Sequence, residues 1–132
     1  MRPVIKSNHL RFMPLNPCVK THETFRKYLD IVYNYASTIS LAKELKKAND
    51  FAVGTVVIFP GSPRHCFIIV DEGIDTNGEK VFKLVEGYSP AQSIYVLRNI
   101  EEPSISPWYH LKKGIIRTAS CEFRSYQLGS FE

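Results

Sequence analysis

A histidine at the start of an apolar run is the residue of this 132-residue chain that is best suited to chemistry. His65 lies within the stretch Gly54 to Asp71, between the polar corner Pro60 to Arg64 and the apolar run Cys66 to Val70. The pattern predicts a strand, an exposed turn and a second strand that begins with the imidazole. Imidazole titrates near neutral pH, so it serves as a general base when a neighbouring group fixes its tautomer.

A predicted hairpin supplies His65 with neighbours that are able to fix the tautomer. Asn77-Gly78 is a strong turn signal because both residues tolerate positive φ. A strand that returns from this turn places His65 opposite about Gly87 to Pro90, which Glu86 and Gln92 bracket. We therefore predict His65 as a base with Glu86 or Gln92 as its orienting partner. A histidine that only satisfies its own hydrogen bonds at a strand end is the alternative.

A nucleophile for this base is harder to assign among the cysteines. Cys18 precedes a helix predicted to begin near Thr21, and a helix dipole lowers the pKa of a thiol at its N-terminus. An incidental cysteine in an arm is the alternative. Cys66 is next to His65 in a strand, so the two side chains face opposite ways, and we predict Cys66 and Cys121 as core residues.

The same cleft also suits a ligand. Its predicted binding side chains come from the polar corner, from the segment opposite His65 and from an aromatic anchor near the sheet margin: Ser62, Arg64, Tyr88 and Trp108. The chain has four histidines but no metal-ligand spacing, and it has no glycine-rich phosphate loop, so neither a metal nor a cofactor is predicted. Trp108 and Tyr109 beside Lys112 and Lys113 are only a weak signal for nucleic-acid binding.

Composition places the chain among ordinary globular domains. The net charge of +4, from 17 basic and 13 acidic residues, is mild and suits an anionic partner without requiring one. Three cysteines without a CxxC spacing imply no disulfide framework. The sequence has neither a secretory signal nor a run long enough to span a membrane, so we expect a cytoplasmic protein, or an exported one if the chain is a fragment.

The elements that position these residues predict one α+β domain over residues 1–132. Residues 1–20 are expected to be an extended arm and residues 21–48 to form two helices. The helices pack on a roughly five-stranded antiparallel sheet or half-barrel within residues 53–123. The predicted strands are Val53 to Phe59, His65 to Asp71, Val81 to Glu86, Ser93 to Arg98 and Ile115 to Phe123, after which the end frays.

Four ordered blocks of sequence resemble domain-of-unknown-function family 4846, an uncharacterised bacterial family. The blocks are the helical segment from Phe25, G-T-V-V-I-F-P-G-S-P-R-H-C-F-I-I-V-D, E-G-Y-S-P-A-Q-S-I-Y-V-L and S-P-W-Y, within about residues 24–131. Members are usually longer and often carry an export or lipoprotein signal, so the resemblance implies that this chain corresponds to their C-terminal half.

A second resemblance is to the NlpC-type papain-like amidases, in which a strand leads through a turn to a histidine and a second strand. The matching residues are Val56, Ile58, Phe59, His65, Phe67 and Ile69. The resemblance implies a papain-like fold with His65 as the base and Glu86 or Gln92 as its partner. The position of the nucleophilic cysteine stays open.

Three functions are therefore predicted, in order of preference. The first is a papain-like amidase or peptidase, active or degenerate, that acts on peptide-like or cell-envelope substrates. The second is a non-catalytic binding module that uses the cleft around His65, and the third is a weak nucleic-acid binder.

Overall fold

The computed structural model describes residues 2–6, 9–13, 19–59, 65–88, 93–124 and 126–131. Four of the predicted site residues, Cys18, Ser62, Arg64 and Gln92, lie outside them. The chain divides into two compact units, residues 1–37 and residues 38–132. That the two units make a single domain stays a prediction.

The first unit contains a β-hairpin and a helix. Strands β1 (Arg2–Lys6) and β2 (His9–Met13) pair antiparallel, so much of the predicted arm is paired strand. Helix α1 (His22–Tyr35) begins where it was predicted, because Thr21 caps it and exchanges hydrogen bonds with Thr24 in a capping box. No residue of α1 is buried.

The second unit is one helix and an antiparallel sheet, which confirms the α+β class. The sheet has seven strands among the described residues, compared with about five predicted, in the order β3-β11-β4-β5-β6-β7 with β8 also paired to β6. Strands β9 and β10 pair only with each other among those residues. The elements are α2 (Thr38–Glu44), β3 (Lys46–Lys47), β4 (Val56–Phe59), β5 (His65–Ile74), β6 (Lys80–Glu86), β7 (Tyr95–Val96), β8 (Trp108–Tyr109), β9 (Ile116–Arg117), β10 (Glu122–Phe123) and β11 (Gln127–Ser130).

Both faces of the central strands are covered, as their continuous apolar runs predict. On one face, Phe67 and Leu84 pack with Phe123 of the β9–β10 hairpin, and all three are at most 1% exposed. On the other face, Val56 and Ile58 pack with side chains of α2. The sheet is therefore the middle layer between α2 and the β9–β10 hairpin.

The structure corrects the prediction for the C-terminal region. The expected strand Ile115 to Phe123 is two strands, β9 and β10, because Thr118 closes a turn by hydrogen bonding the backbone of Cys121. The end of the chain does not fray over Gln127–Ser130, since β11 lies between β3 and β4 and pairs with both. Lys46–Lys47, predicted as helix, belongs to the sheet as β3.

The predicted turn and register between β5 and β6 are confirmed. Gly78 has a φ of 81°, and the Asp75 carboxylate accepts hydrogen bonds from the backbone N–H groups of Asn77 and Glu79. Ile69 pairs with Leu84, and a bulge between Ile69 and Asp71 shifts the register by one residue toward the turn. In the described part of the chain, no helix is long and apolar enough to cross a membrane.

Candidate functional site

His65 and Glu86 meet on the face of the sheet that the β9–β10 hairpin covers. His65 begins β5 opposite Phe59, and alternation along the strand places it on the same face as the buried Phe67. Glu86 ends β6 on the face of Leu84. Nε2 of His65 lies 2.5 Å from Oε2 of Glu86, with the histidine side chain 12% exposed and the glutamate side chain fully buried.

Two hydroxyl groups complete the surroundings of the Glu86 carboxylate. Tyr95 is the register partner of Glu86 in β7, and its hydroxyl donates to Oε1 over 2.5 Å. Ser120, in the turn between β9 and β10, donates to Oε2 over 2.9 Å and also hydrogen bonds Thr118. A buried carboxylate is costly unless its oxygens are hydrogen bonded, and here three side chains from three elements meet that requirement.

Burial and the nearby Glu86 carboxylate raise the pKa values of a tyrosine and two cysteines. The hydrogen bond to Glu86, with burial and the charge of the acid, raises the pKa of Tyr95 to about 12, so its hydroxyl keeps the proton that it donates. Burial, followed by the charge of Glu86, raises the pKa of the Cys66 thiol. Burial is also the largest cause that raises the pKa of the Cys121 thiol. The two described cysteines are therefore poor thiolate nucleophiles, as their prediction as core residues implies.

Aromatic rings border the imidazole. The Tyr88 ring lies edge-on to His65 with centroids 5.7 Å apart, and Tyr88 is 44% exposed. Phe123 lies on the buried side, with its ring centroid 6.0 Å from that of His65. Among the described residues, His65 forms a hydrogen bond with Glu86 through Nε2. Nδ1 is the ring nitrogen that does not face this carboxylate.

The structure brings together three of the predicted site residues, His65, Glu86 and Tyr88, and places a fourth elsewhere. Trp108 is the register partner of Lys83, whose ammonium nitrogen lies 4.2 Å from the centre of the indole ring. Lys83 is three residues from Glu86 in β6, so Trp108 and Glu86 lie on opposite faces of the sheet. Trp108 thus anchors the sheet margin, as the sequence predicted, away from His65.

Sequence reasoning missed two functional candidates, Tyr95 and Ser120. Tyr95 falls in a predicted strand, and extending the register from β6 to β7 would have placed it beside Glu86. Ser120 gave no such signal, because the turn between β9 and β10 was predicted as the middle of one strand. Only the folding of that hairpin over the sheet brings Ser120 to the carboxylate.

A second cluster of ionisable side chains surrounds His110 at the tip of the β5–β6 hairpin. Its Nε2 lies 3.2 Å from Asp75 and 3.8 Å from Glu79, and ligand atoms of these three residues lie within 4.8 Å of one another, a spacing that a metal ion could bridge. Nδ1 lies 3.0 Å from Glu102. The hydrogen bond to Glu102, with a smaller effect of Asp75, raises the pKa of His110. The cluster is thus an imidazole between carboxylates that favour its protonated form, and the absence of a metal stays a prediction.

Comparison with known proteins places the chain in a family without a described activity. The model of the family described as domain of unknown function (4846) matches residues 1–130. The match covers nearly the whole chain, whereas the resemblance seen in the sequence began near residue 24, so it is not confined to a C-terminal half. Neither the curated proteins nor the solved structures include a match. The comparisons therefore give no support to a likeness to the papain-like amidases.

Proposed function

The chain belongs to the family of domain of unknown function 4846. For this chain, we propose the function of a hydrolase of the amidase or peptidase type. The observation that carries the proposal is the hydrogen bond from Nε2 of His65 to the buried carboxylate of Glu86. A carboxylate in this position fixes the imidazole tautomer and stabilises the imidazolium that forms when the base accepts a proton.

The proposed chemistry depends on Nδ1, the ring nitrogen of His65 that does not face Glu86. With Nε2–H donating a hydrogen bond to Glu86, His65 offers the Nδ1 lone pair to the proton of an attacking thiol, hydroxyl or water. The imidazolium then returns that proton to the leaving amine, while Glu86 keeps its negative charge. In the papain-like form of the proposal, Glu86 takes the role of the orienting partner of the base.

The nucleophile is the open part of the proposal. Cys18 is the thiol candidate from the sequence, and it lies outside the described residues. Ser120 donates to Glu86, so its proton is committed to the carboxylate and not to Nδ1 of His65. A water activated directly by His65 is the other candidate for the attacking group. Peptide-like or cell-envelope substrates suit the mild positive charge of the chain and the exposed Tyr88 ring beside the base.

A binding module that uses the same cleft is the second candidate. It is favoured by one observation: in the described part of the chain, neither a thiol nor a hydroxyl hydrogen bonds to His65. In this form, His65 and Tyr88 bind a peptide-like ligand without cleaving it. Both candidates predict that the protein binds peptide-like ligands, and only the hydrolase predicts that it cleaves them.

An assay of hydrolysis with a panel of peptide amides and cell-wall stem peptides tests the proposal. The signal is the release of new amino groups. We expect His65→Gln to lower turnover by about 10²- to 10⁴-fold, the usual contribution of a general base. His110→Gln is the matched control, since His110 is also partly buried and bonded to carboxylates but lies at the hairpin tip. Its turnover should equal that of the wild type.

The results separate the candidates. Wild-type turnover that survives in His65→Gln would exclude His65 as the base. Binding of the same peptides without any release of amines, measured by calorimetry and weakened in His65→Gln, would favour the binding module.

A further inference from the structure

We propose that Tyr95 and Ser120 are positioning residues that fix the carboxylate of Glu86 and, through it, the tautomer of His65. This inference rests on the proposed role of His65 as the base. The carboxylate has two oxygens, and the structure assigns each a separate donor besides the histidine: Tyr95 to Oε1 and Ser120 to Oε2. A carboxylate held at both oxygens cannot rotate about its terminal bond without losing a hydrogen bond.

Tyr95 fixes the oxygen that does not meet the histidine. Its hydroxyl lies 2.5 Å from Oε1, and the pairing of Tyr95 with Glu86 between β7 and β6 brings the two side chains to one face. Because the pKa of Tyr95 is raised to about 12, the hydroxyl remains a donor across the neutral range. Tyr95 therefore holds Oε1 away from the imidazole and leaves Oε2 for it.

Ser120 fixes the oxygen that His65 shares. Its hydroxyl lies 2.9 Å from Oε2, the atom that also accepts from Nε2 of His65. The serine is itself held, because Thr118 hydrogen bonds Ser120 and the backbone of Cys121 within the β9–β10 turn. The hairpin that covers this face thus supplies the base with a carboxylate of fixed orientation.

The consequence for His65 is a single neutral tautomer. Nε2 faces a carboxylate oxygen that only accepts, so Nε2 must carry the proton and Nδ1 must carry the lone pair. When either hydroxyl is removed, the carboxylate gains freedom to turn away from Nε2, and the Nε2–H form loses part of the acceptor that favours it. A merely structural role for the hydroxyls would leave the tautomer unchanged.

Nitrogen-15 NMR of the histidine rings, recorded on the full chain where the imidazole of His65 is neutral, tests this inference. The wild type is expected to show the Nε2–H form of His65 as at least about nine-tenths of the population, and Tyr95→Phe and Ser120→Ala to show a mixture of the two forms. Tyr88→Phe is the matched control: its ring touches His65, but the donors to Glu86 among the described residues are His65, Tyr95 and Ser120. It should keep the wild-type tautomer.

Two outcomes are decisive and distinguishable. A wild-type tautomer in both Tyr95→Phe and Ser120→Ala overturns the positioning role and leaves the proposed base intact. An Nδ1–H form in the wild type overturns the orientation on which the proposed function depends. Tyr95 is 37% exposed and Tyr95→Phe retains its ring, so this variant decides the question even if Ser120→Ala does not fold.

Discussion

Oε2 of Glu86 lies 2.5 Å from Nε2 of His65, although the two residues are 21 positions apart and the glutamate side chain is fully buried. The pairing of β5 with β6 creates this contact, because Val85 pairs with Ile68 and the register therefore makes Glu86 a diagonal neighbour of His65 on the same face. An acid buried at this depth stabilises the fold only while its partners satisfy it. Its removal should therefore affect stability as well as any reaction.

The first prediction concerns the stability contributed by the Glu86 network. Glu86→Gln keeps the shape of the side chain but replaces one accepting oxygen with an NH₂ group, which faces a donor of the network. We therefore expect the free energy of unfolding to fall by about 1–3 kcal/mol. Glu86→Ala, which leaves His65, Tyr95 and Ser120 without their acceptor, should cost about 3–5 kcal/mol. Urea denaturation followed by circular dichroism measures both changes.

Glu122→Gln is the control for loss of a carboxylate in an ion pair. Glu122 bonds the exposed side chains of Arg117 and Arg124, and surface pairs of this kind contribute little. If Glu86→Gln proved as stable as the wild type, the buried network would not be a source of stability.

The contact between His65 and Glu86 could be predicted because it depends on local signals. Asn77 and Gly78 fixed the turn, and the turn fixed which residues of β5 and β6 face each other. Ser120 could not be predicted in the same way. Its position depends on how the β9–β10 hairpin lies on the sheet, which is a tertiary property without a sequence period.

The strand order of the sheet likewise could be predicted only where neighbouring strands are also consecutive in the sequence. The strands from β4 to β6 follow one another in sequence and in space, so hydrophobic runs and turns were sufficient to predict them. Strand β11 lies between β3 and β4, and a central position for the last strand requires pairing across most of the unit. Residues Gln127–Ser130 contain one glycine and two polar residues, a composition that does not indicate an interior strand of a sheet.

The second prediction concerns the reactivity of the cysteines. Because the pKa values of the Cys66 and Cys121 thiols are raised, mainly by burial, both should react more slowly than free cysteine with a thiolate-selective reagent near neutral pH. Mass spectrometry after timed labelling with iodoacetamide identifies each site. Labelling in urea should remove the difference between them and free cysteine.

Cys18 gives the third prediction, because the proposed reaction allows it to be the nucleophile. If Cys18 serves His65, it should label faster than free cysteine in the wild type and lose that advantage in His65→Gln. Equal rates for Cys18 and free cysteine would leave water as the attacking group. The variant Cys66→Ser with Cys121→Ser isolates the Cys18 signal.

The fourth prediction is a pH dependence that arises from His110. Its pKa is raised from the ordinary value of 6.5, so its contribution to stability is complete below that value and is lost as the pH rises through the raised pKa. Asp75 has a lowered pKa and remains ionised until the pH falls below its ordinary value of 3.8. His110→Gln should therefore destabilise the protein more at pH 5.5 than at pH 9.

Glu102→Gln tests the cause of this dependence. Glu102 is the largest contributor to the raised pKa of His110, ahead of Asp75, and Glu79 also faces the ring. The difference between the unfolding free energies at pH 5.5 and pH 9 should become smaller in Glu102→Gln than in the wild type. An unchanged difference would mean that His110 does not gain its charge from these partners.

The last prediction concerns the strand whose position the sequence did not reveal. A Cβ atom at Gly129 would lie 2.7 Å from Cβ and 2.8 Å from Cδ1 of Leu45, so Gly129→Ala requires β11 or the segment after α2 to move. Leu45 is 7% exposed and packs with Val56 and Ile58, and overpacking of such a site costs about 1–3 kcal/mol. Gly87→Ala is the control, since nothing lies within 4 Å of its added Cβ, and we expect a change of at most about 0.5 kcal/mol. Equal stability of the two variants would show that β11 is not held against Leu45, because a loosely paired strand accommodates the methyl group.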